Sequence, residues 1–221
     1  DIYLPDYNLA IEFNGLYYHS SKFQKDNNYH LNKTIECNKQ GIRLIHIFED
    51  SWDFKNDIIK SQINNWLGVT PNKIYARKTI IKEIDTPTAK QFLNENHIQG
   101  EVKSFCKLGL FHNDELVSVM CFDRFEGRKL LPVGEYNLTR FANKLNTSVV
   151  GGASKLMNHF LKIYSTTRMI SYADRSWSSG GLYEMLGFSI DENSKQKPDY
   201  KYVVDGKRVH KGGFRKDALK K

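Results

Sequence analysis

Apolar and polar positions alternate from the first residue onward. Asp1–Pro5 reads as a short strand, Asp6-Tyr7-Asn8 as a turn, and Leu9–Phe13 as a second strand paired to the first in a hairpin. Asn14-Gly15 breaks the run. Residues 28–40 carry helical spacing, with Leu31, Ile35 and either Cys37 or Asn38 along one side, and Gly41 follows as a C-terminal cap. Arg43–Glu49 holds Leu44, Ile45, Ile47 and Phe48, the composition of a buried strand. Asp50 or Ser51 can start a helix running to about Leu67, its apolar side formed by Trp52, Ile58, Ile59, Ile63 and Trp66. Gly68 ends it, and Thr70-Pro71-Asn72 marks a boundary.

The second half alternates again. A strand is expected near Lys78–Ile84, then a helix from a Thr86 cap to about Asn96, with Pro87 in its first turn. Strands near Phe105–Phe111, Leu116–Phe122 and Tyr136–Phe141 follow, the first two joined by the turn His112-Asn113-Asp114. A helix from Gly152 to Tyr164, a strand at Met169–Ala173, a short helix near Gly181–Leu186, and strands near Phe188–Ile190 and Tyr200–Val204 complete the pattern. This predicts two α/β (α+β) domains, residues 1–70 and 78–221, joined by a linker at 71–77.

Composition narrows the class. The chain has 221 residues, 40% of them hydrophobic, with 13 Phe, 12 Tyr and 3 Trp, enough for packed cores rather than disorder. No run of apolar residues is long enough to span a membrane, and no signal peptide opens the chain. It begins at Asp1 inside a strand-like run, which suggests a fragment. Three widely spaced cysteines, Cys37, Cys106 and Cys121, argue against a disulfide framework and for a reducing cytoplasm. The net charge of +8 favours a polyanion partner, although a basic soluble protein carries such a charge without one. From Lys201 to Lys221 there are eight Lys or Arg against two Asp, a solvated tail or a nucleic-acid arm.

The hairpin carries the first candidate chemistry. Paired strands in register bring side chains within about 5.5 Å, so Asp1 and Glu12 can meet. Two carboxylates so close repel unless a cation lies between them, and Mg²⁺ (or Mn²⁺) suits such oxygen donors. The alternative is a polar edge with two solvated acids. Against it, the run Leu9-Ala10-Ile11 drives Glu12 inward, where an unpaired charge is costly.

The block Phe13-Asn14-Gly15-Leu16-Tyr17-Tyr18-His19, with Asp1 before it, resembles the very-short-patch repair endonucleases and related homing endonucleases. The stretch Lys33–Trp52 resembles the helix and buried strand that close that fold. The resemblance covers about residues 1–67. It implies a PD-(D/E)XK-type fold and Mg²⁺-dependent hydrolysis of DNA. Asp1 and Glu12 would then hold the metal, Asn14 would orient water or phosphate, and His19 would transfer a proton as base or acid. A surface histidine is the other reading of His19. The chain departs from the pattern at Asn14, which stands where these enzymes have His and where the Asp…Glu-x-Lys pattern has Lys. Lys33 could contact phosphate or be a plain exposed helix lysine, and His46, in a buried strand, reads as structural. The family often adds an acidic residue on an upstream helix, which would lie before Asp1.

Residues 78–204 resemble the GNAT acetyltransferases in element order. The local match is Val149-Val150-Gly151-Gly152-Ala153-Ser154-Lys155-Leu156, and the run Gly180–Phe188 supports it. The resemblance implies that Gly151 and Gly152 would cradle the pyrophosphate of coenzyme A, if coenzyme A binds at all. Glycines before a helix also serve tight packing, and no coenzyme A derivative is expected. This half also resembles Mom-type DNA-base modification proteins, through Asn96–Gly100, Arg140, the run Asp174–Trp177 and the Arg215-Lys216 tail. Arg140, Arg175, Trp177, Lys211, Arg215 and Lys216 are candidate DNA contacts, although a Trp such as Trp177 is more often core. The resulting expectation is a homing-type endonuclease encoded by a bacteriophage, acting on double-stranded DNA in the cytoplasm of its bacterial host. It has no membrane partner, and a homodimer is left open. The alternatives are a base-modifying transferase with a remnant nuclease domain, or a non-catalytic DNA-binding module.

Overall fold

The computed structural model describes residues 1–18, 26–191 and 200–214. The chain is of the α+β class and divides into two compact units. Unit 1 comprises Asp1–Asn56, Asp174–Ser179 and Ile190–Lys221, and unit 2 comprises Asp57–Ala173 and Gly180–Ser189.

Unit 1 begins with the expected hairpin. Strands β1 (Ile2–Leu4) and β2 (Leu9–Asn14) pair antiparallel, with Ile2 opposite Ile11 and Leu4 opposite Leu9. Asn8 closes the turn in the left-handed region (φ 48°), and its N–H donates to the Pro5 carbonyl. Helix α1 (Tyr29–Lys39) leads to β3 (Arg43–Phe48), which lies parallel to β2 on its other side. Gly41 ends α1 as expected, at φ 72°. The N–H of Ile42 reaches the Cys37 carbonyl and that of Gly41 the Asn38 carbonyl, a paired closure that satisfies the last carbonyls of the helix. α1 packs on β3. The following helix, α2 (Glu49–Trp66), is not continuous: Lys55 has non-helical angles (φ −143°, ψ 31°). The two units divide immediately after that break.

Unit 2 is built on a five-stranded sheet. Its strands are β5 (Ile80–Glu83), β6 (Cys106–His112), β7 (Glu115–Asp123), β10 (Glu135–Asn143) and β12 (Arg168–Ser171), in the order β12-β10-β7-β6-β5. All neighbours are antiparallel except β10 and β12. A bulge interrupts β10 between Leu138 and Arg140. The β6–β7 turn forms where expected, with Asn113 and Asp114 both at positive φ, as tight hairpin turns require. Two short strands, β8 (Phe125–Glu126) and β9 (Lys129–Leu130), form a separate hairpin.

Helix α3 (Thr86–Asn96) starts one residue earlier than the expected cap: Asp85, not Thr86, accepts the N–H of Thr88 at 2.8 Å. Its buried residues Ala89, Phe92 and Leu93 sit at helical spacing against Val119, Cys121 and Ala142. Helix α4 (Gly152–Ile163) buries Ala153, Leu156, Met157 and Phe160, again on one face, in a cluster with Met120 and Phe122. Alternate residues of β7 therefore feed two different clusters, as strand geometry requires. Cys106 and Cys121 lie inside, where burial pushes both thiols up to about 11; a thiol held so far from ionisation is a poor nucleophile or ligand.

Three expectations about organisation need correction. The stretch 71–77 is not a free linker: β4 (Asn72–Tyr75) pairs parallel with β11 (Thr147–Val150), and Ala76 is buried. The strand expected at Phe188–Ile190 does not form. The basic tail does not extend the second domain. Its described part belongs to unit 1, as a hairpin of β13 (Lys201–Val204) and β14 (Lys207–His210) turned by Asp205 and Gly206. The cause is a set of polar contacts. Arg208 donates from Nε to Asp50 at 2.8 Å and from an η nitrogen to Ser51 at 2.7 Å, and its guanidinium lies 3.8 Å from the centre of the Phe48 ring. The segment 174–179 joins the same unit because the Ser176 carbonyl accepts the N–H of His46 at 2.9 Å, on the outer edge of β3. A short helix α5 (Gly181–Met185) returns the chain to unit 2.

Candidate functional site

The site of unit 1 follows from three registers. On β2, Glu12 and Asn14 share a face and are buried, while Phe13 between them is half-exposed. One step beyond the Ile2–Ile11 pair, the hairpin register sets Asp1 opposite Glu12. On the other side, the parallel register sets His46 of β3 beside Glu12. Helix α1 places His30, Lys33 and Thr34 at spacing i, i+3 and i+4, which is one helix face.

The side chains meet accordingly. Lys33 Nζ lies 2.5 Å from Glu12 Oε1 and 3.6 Å from Asp1 Oδ2, so one ammonium joins both carboxylates. The hydrogen bond to Glu12 raises the Lys33 pKa above its ordinary value, and burial opposes the rise only in part. Lys33 is therefore a fixed cation near neutral pH. Glu12 is 3% exposed and His46 4%, while the Asp1 side chain is open to solvent. His46 Nδ1 lies 3.0 Å from Glu12 Oε2, yet Oε2 has no partner in hydrogen-bonding alignment: the two atoms are close but out of line. Glu12, His30 and His46 each offer one ligand atom, all within 4.8 Å of one another.

The expected residues fall as follows. Asp1 and Glu12 come together as the hairpin predicted. Asn14 is wholly buried, so it does not reach water or phosphate from its place in this structure. Its amide nitrogen lies 3.5 Å from the Glu12 carbonyl and 3.4 Å from His46 Nδ1, which makes it part of the wall behind Glu12. His19, Arg215 and Lys216 lie outside the described residues. Lys33, a candidate phosphate contact, lies between the two carboxylates as their cation. His30 and His46 were not placed in the site. The signals that could have found them are the His30-x-x-Lys33-Thr34 spacing and the parallel β2–β3 pairing that follows from a helical crossover.

The remaining candidates are apart from this cluster. Arg140 donates to the Gly100 carbonyl at 3.2 Å and the Thr139 carbonyl at 2.7 Å, and burial lowers its pKa. It is an internal tie of unit 2 rather than a projecting contact. Arg175 is exposed, Trp177 is half-buried with its carbonyl accepting from Arg43, and Lys211 stands 4.7 Å over the Tyr200 ring. All three belong to unit 1. Gly151 caps α4 at φ 76°, and Gly152 is buried where an added Cβ would come within 2.9 Å of Val149 and 3.3 Å of Leu110. Among the described residues, no helix is long and apolar enough to cross a membrane.

No protein-family model matches the chain, and no curated protein matches it. Among solved structures, an integron cassette protein from the mobile metagenome of V. cholerae is similar at 15% identity with a TM-score of 0.40, over 58% of this chain and 94% of that one. A likeness of that size assigns neither an activity nor a ligand.

Proposed function

We propose that unit 1 is a metal-dependent endonuclease that hydrolyses DNA phosphodiester bonds. The observation that supports this reading is the Asp1–Glu12–Lys33 cluster, two carboxylates and a lysine delivered to one point by three separate elements. A purely structural ion pair needs one carboxylate; the second leaves a surplus of negative charge that suits a hard divalent cation. The resemblance to very-short-patch repair and homing endonucleases supports the finer reading, a phage enzyme of homing type.

The donors fit Mg²⁺ or Mn²⁺, because Asp1 and Glu12 supply only carboxylate oxygens and Asp1 keeps access to solvent. When bound there, such an ion supplies Lewis acidity toward a phosphoryl oxygen and a more acidic water. The protein's own contributions are distinct. Glu12, fixed by burial, sets the position of the cluster. Lys33 holds positive charge where a pentavalent phosphate would develop negative charge. Its raised pKa keeps it from serving as a base at neutral pH. Proton transfer is assigned to His19 on the resemblance alone. The exposed Arg175 and the half-buried Lys211, in the same unit, supply phosphate contacts.

Supercoiled plasmid is the test. With Mg²⁺ the chain converts it to nicked or linear DNA, and Glu12→Gln reduces the rate by about 10²-fold or more. Absence of Mg²⁺-dependent conversion by the wild-type chain, on DNA from several sources, overturns the reading.

Unit 2 is read as an acetyltransferase-like fold reused for DNA recognition. Its order of strand, helix, antiparallel strands, helix, parallel strand and helix supports the first part. The closed packing around Gly152 argues only that this turn serves contact with Val149 and Leu110 rather than a coenzyme A pyrophosphate. Isothermal titration with acetyl-coenzyme A should then give no saturable heat. A Kd tighter than about 100 μM, roughly 5 kcal/mol of binding, would restore the transferase alternative.

A further inference from the structure

We infer that Glu12, His30 and His46 form a second metal site, buried behind the carboxylate pair and selective for a late first-row transition ion of the Zn²⁺ class. The inference stands apart from the nuclease reading and rests on different atoms.

The first argument is the state of His46. Thr34 has a single hydroxyl proton, and it goes to the His30 carbonyl at 2.8 Å. With the hydroxyl proton so placed, Thr34 Oγ1 accepts from His46 Nε2, 2.9 Å away, an assignment of the tautomer that puts the imidazole proton on Nε2. A neutral imidazole then presents the Nδ1 lone pair toward Glu12 Oε2, 3.0 Å away. Asn14 Nδ2 reaches Nδ1 only at 3.4 Å, so the Nδ1 lone pair still faces Oε2 at shorter range, and a cation between the two removes that conflict.

The second argument selects a metal ion over a proton. A proton on Nδ1 would favour a linear N–H···O contact, but Oε2 is out of line and has no aligned partner, although Glu12 is 3% exposed. An ion ligated by both atoms imposes no such line. His30 completes the set: its ring stands edge-on to that of His46 at 5.1 Å, and the three ligand atoms lie within 4.8 Å of one another. Two imidazoles with one carboxylate match Zn²⁺ and its neighbours, whereas Mg²⁺ prefers oxygen donors alone. Thr34 takes the place of the usual outer partner, accepting the far N–H of a ligating histidine and fixing its tautomer. Glu12 thus has two faces, with Oε1 toward Lys33 and Asp1 and Oε2 toward the histidines.

The test uses the full chain, freed of metal by chelation, and Co²⁺ as the probe. Co²⁺ bound among histidines gives intense visible ligand-field absorption; Co²⁺ at an open oxygen site gives a weak band. The expected result is an intense band saturating at equimolar Co²⁺, bleached by Zn²⁺ and unaffected by excess Mg²⁺. His30→Ala should abolish it and Thr34→Val should weaken Co²⁺ binding about 10–100-fold, while Asp1→Asn should leave it intact. Circular dichroism checks each fold. Should His30→Ala fail to fold, His30→Gln carries the same prediction with less loss of packing. An absent band, or one lost in Asp1→Asn and kept in His30→Ala, overturns the site. Plasmid cleavage without the band would sink this inference and leave the nuclease reading standing; the band without cleavage would do the reverse.

Discussion

Lys33→Met should lower Mg²⁺-dependent cleavage by about 10²–10³-fold, the usual cost of removing one preorganised charge from a reacting centre. The same substitution should leave the apparent Mg²⁺ affinity unchanged or tighter. The two effects separate because Lys33 has two roles. Its ammonium already contacts Glu12 Oε1 at 2.5 Å, so it competes with any cation arriving at that oxygen. Methionine matches its length, removes the competition, and removes the charge that would stabilise the transition state. Lys33→Arg should retain a substantial part of the rate, since the charge survives, although the planar guanidinium will not reproduce the same contacts. Equal loss in Met and Arg variants would point to packing rather than charge. The sign of the pH effect follows from the raised pKa. The stabilisation of the cluster is complete below the unfolded lysine value and disappears as pH rises through the folded one. The acid limb of a cleavage profile therefore does not belong to Lys33, and titration of this group enters only on the far alkaline side.

The largest effect on stability should come from Phe160→Ala, a loss of about 3–5 kcal/mol in the urea transition of unit 2. Phe160 is fully buried, stacks on Phe122 at 3.8 Å between centroids, and meets Tyr136 edge-on at 5.1 Å and Tyr164 at 4.7 Å. It is the point where α4 enters the sheet, so truncation opens a cavity ringed by rigid aromatics that collapse poorly. The midpoint should fall with little change in slope. A loss below about 1.5 kcal/mol would mean that the neighbours refill the space, and would demote this residue from the centre of the core.

Much of the fold was legible because period and punctuation agreed. The Asp1–Asn14 hairpin, α1 with its Gly41 stop, and the Asn113-Asp114 turn each combine a hydrophobic pattern with a residue whose backbone preference closes the element. What was not legible depends on long-range pairing. Thr70-Pro71-Asn72 reads as a boundary locally, but β4 is completed by β11, more than seventy residues away. The weakly patterned tail becomes a hairpin because Arg208 finds Asp50 and Ser51. The candidate site divides the same way. Asp1 and Glu12 follow from hairpin register alone. Lys33, His30 and His46 share a face of α1 or a register with β2, and although the spacing of the helix residues is local, the parallel placement of β3 that brings them to Glu12 is not. His46 in an apolar strand is most often structural, and only its register partner, Glu12, gives it another use.

The three-segment composition of unit 1 has a consequence for synthesis. Its first fifty-six residues leave the ribosome early, but Ser176 and Arg208, which hold the edge of β3 and the start of α2, follow more than a hundred residues later. At about 5–20 residues per second that delay is roughly 6–30 s. Throughout it the outer edge of β3 lacks the Ser176 carbonyl that accepts the His46 N–H, and an uncovered strand edge is open to foreign strands. Unit 2, nearly continuous in sequence, can complete its sheet in the interval. The segment with the candidate chemistry is thus translated well before the residues that finish its unit, and its carboxylates reach their final surroundings only after Ser176 and Arg208 have emerged.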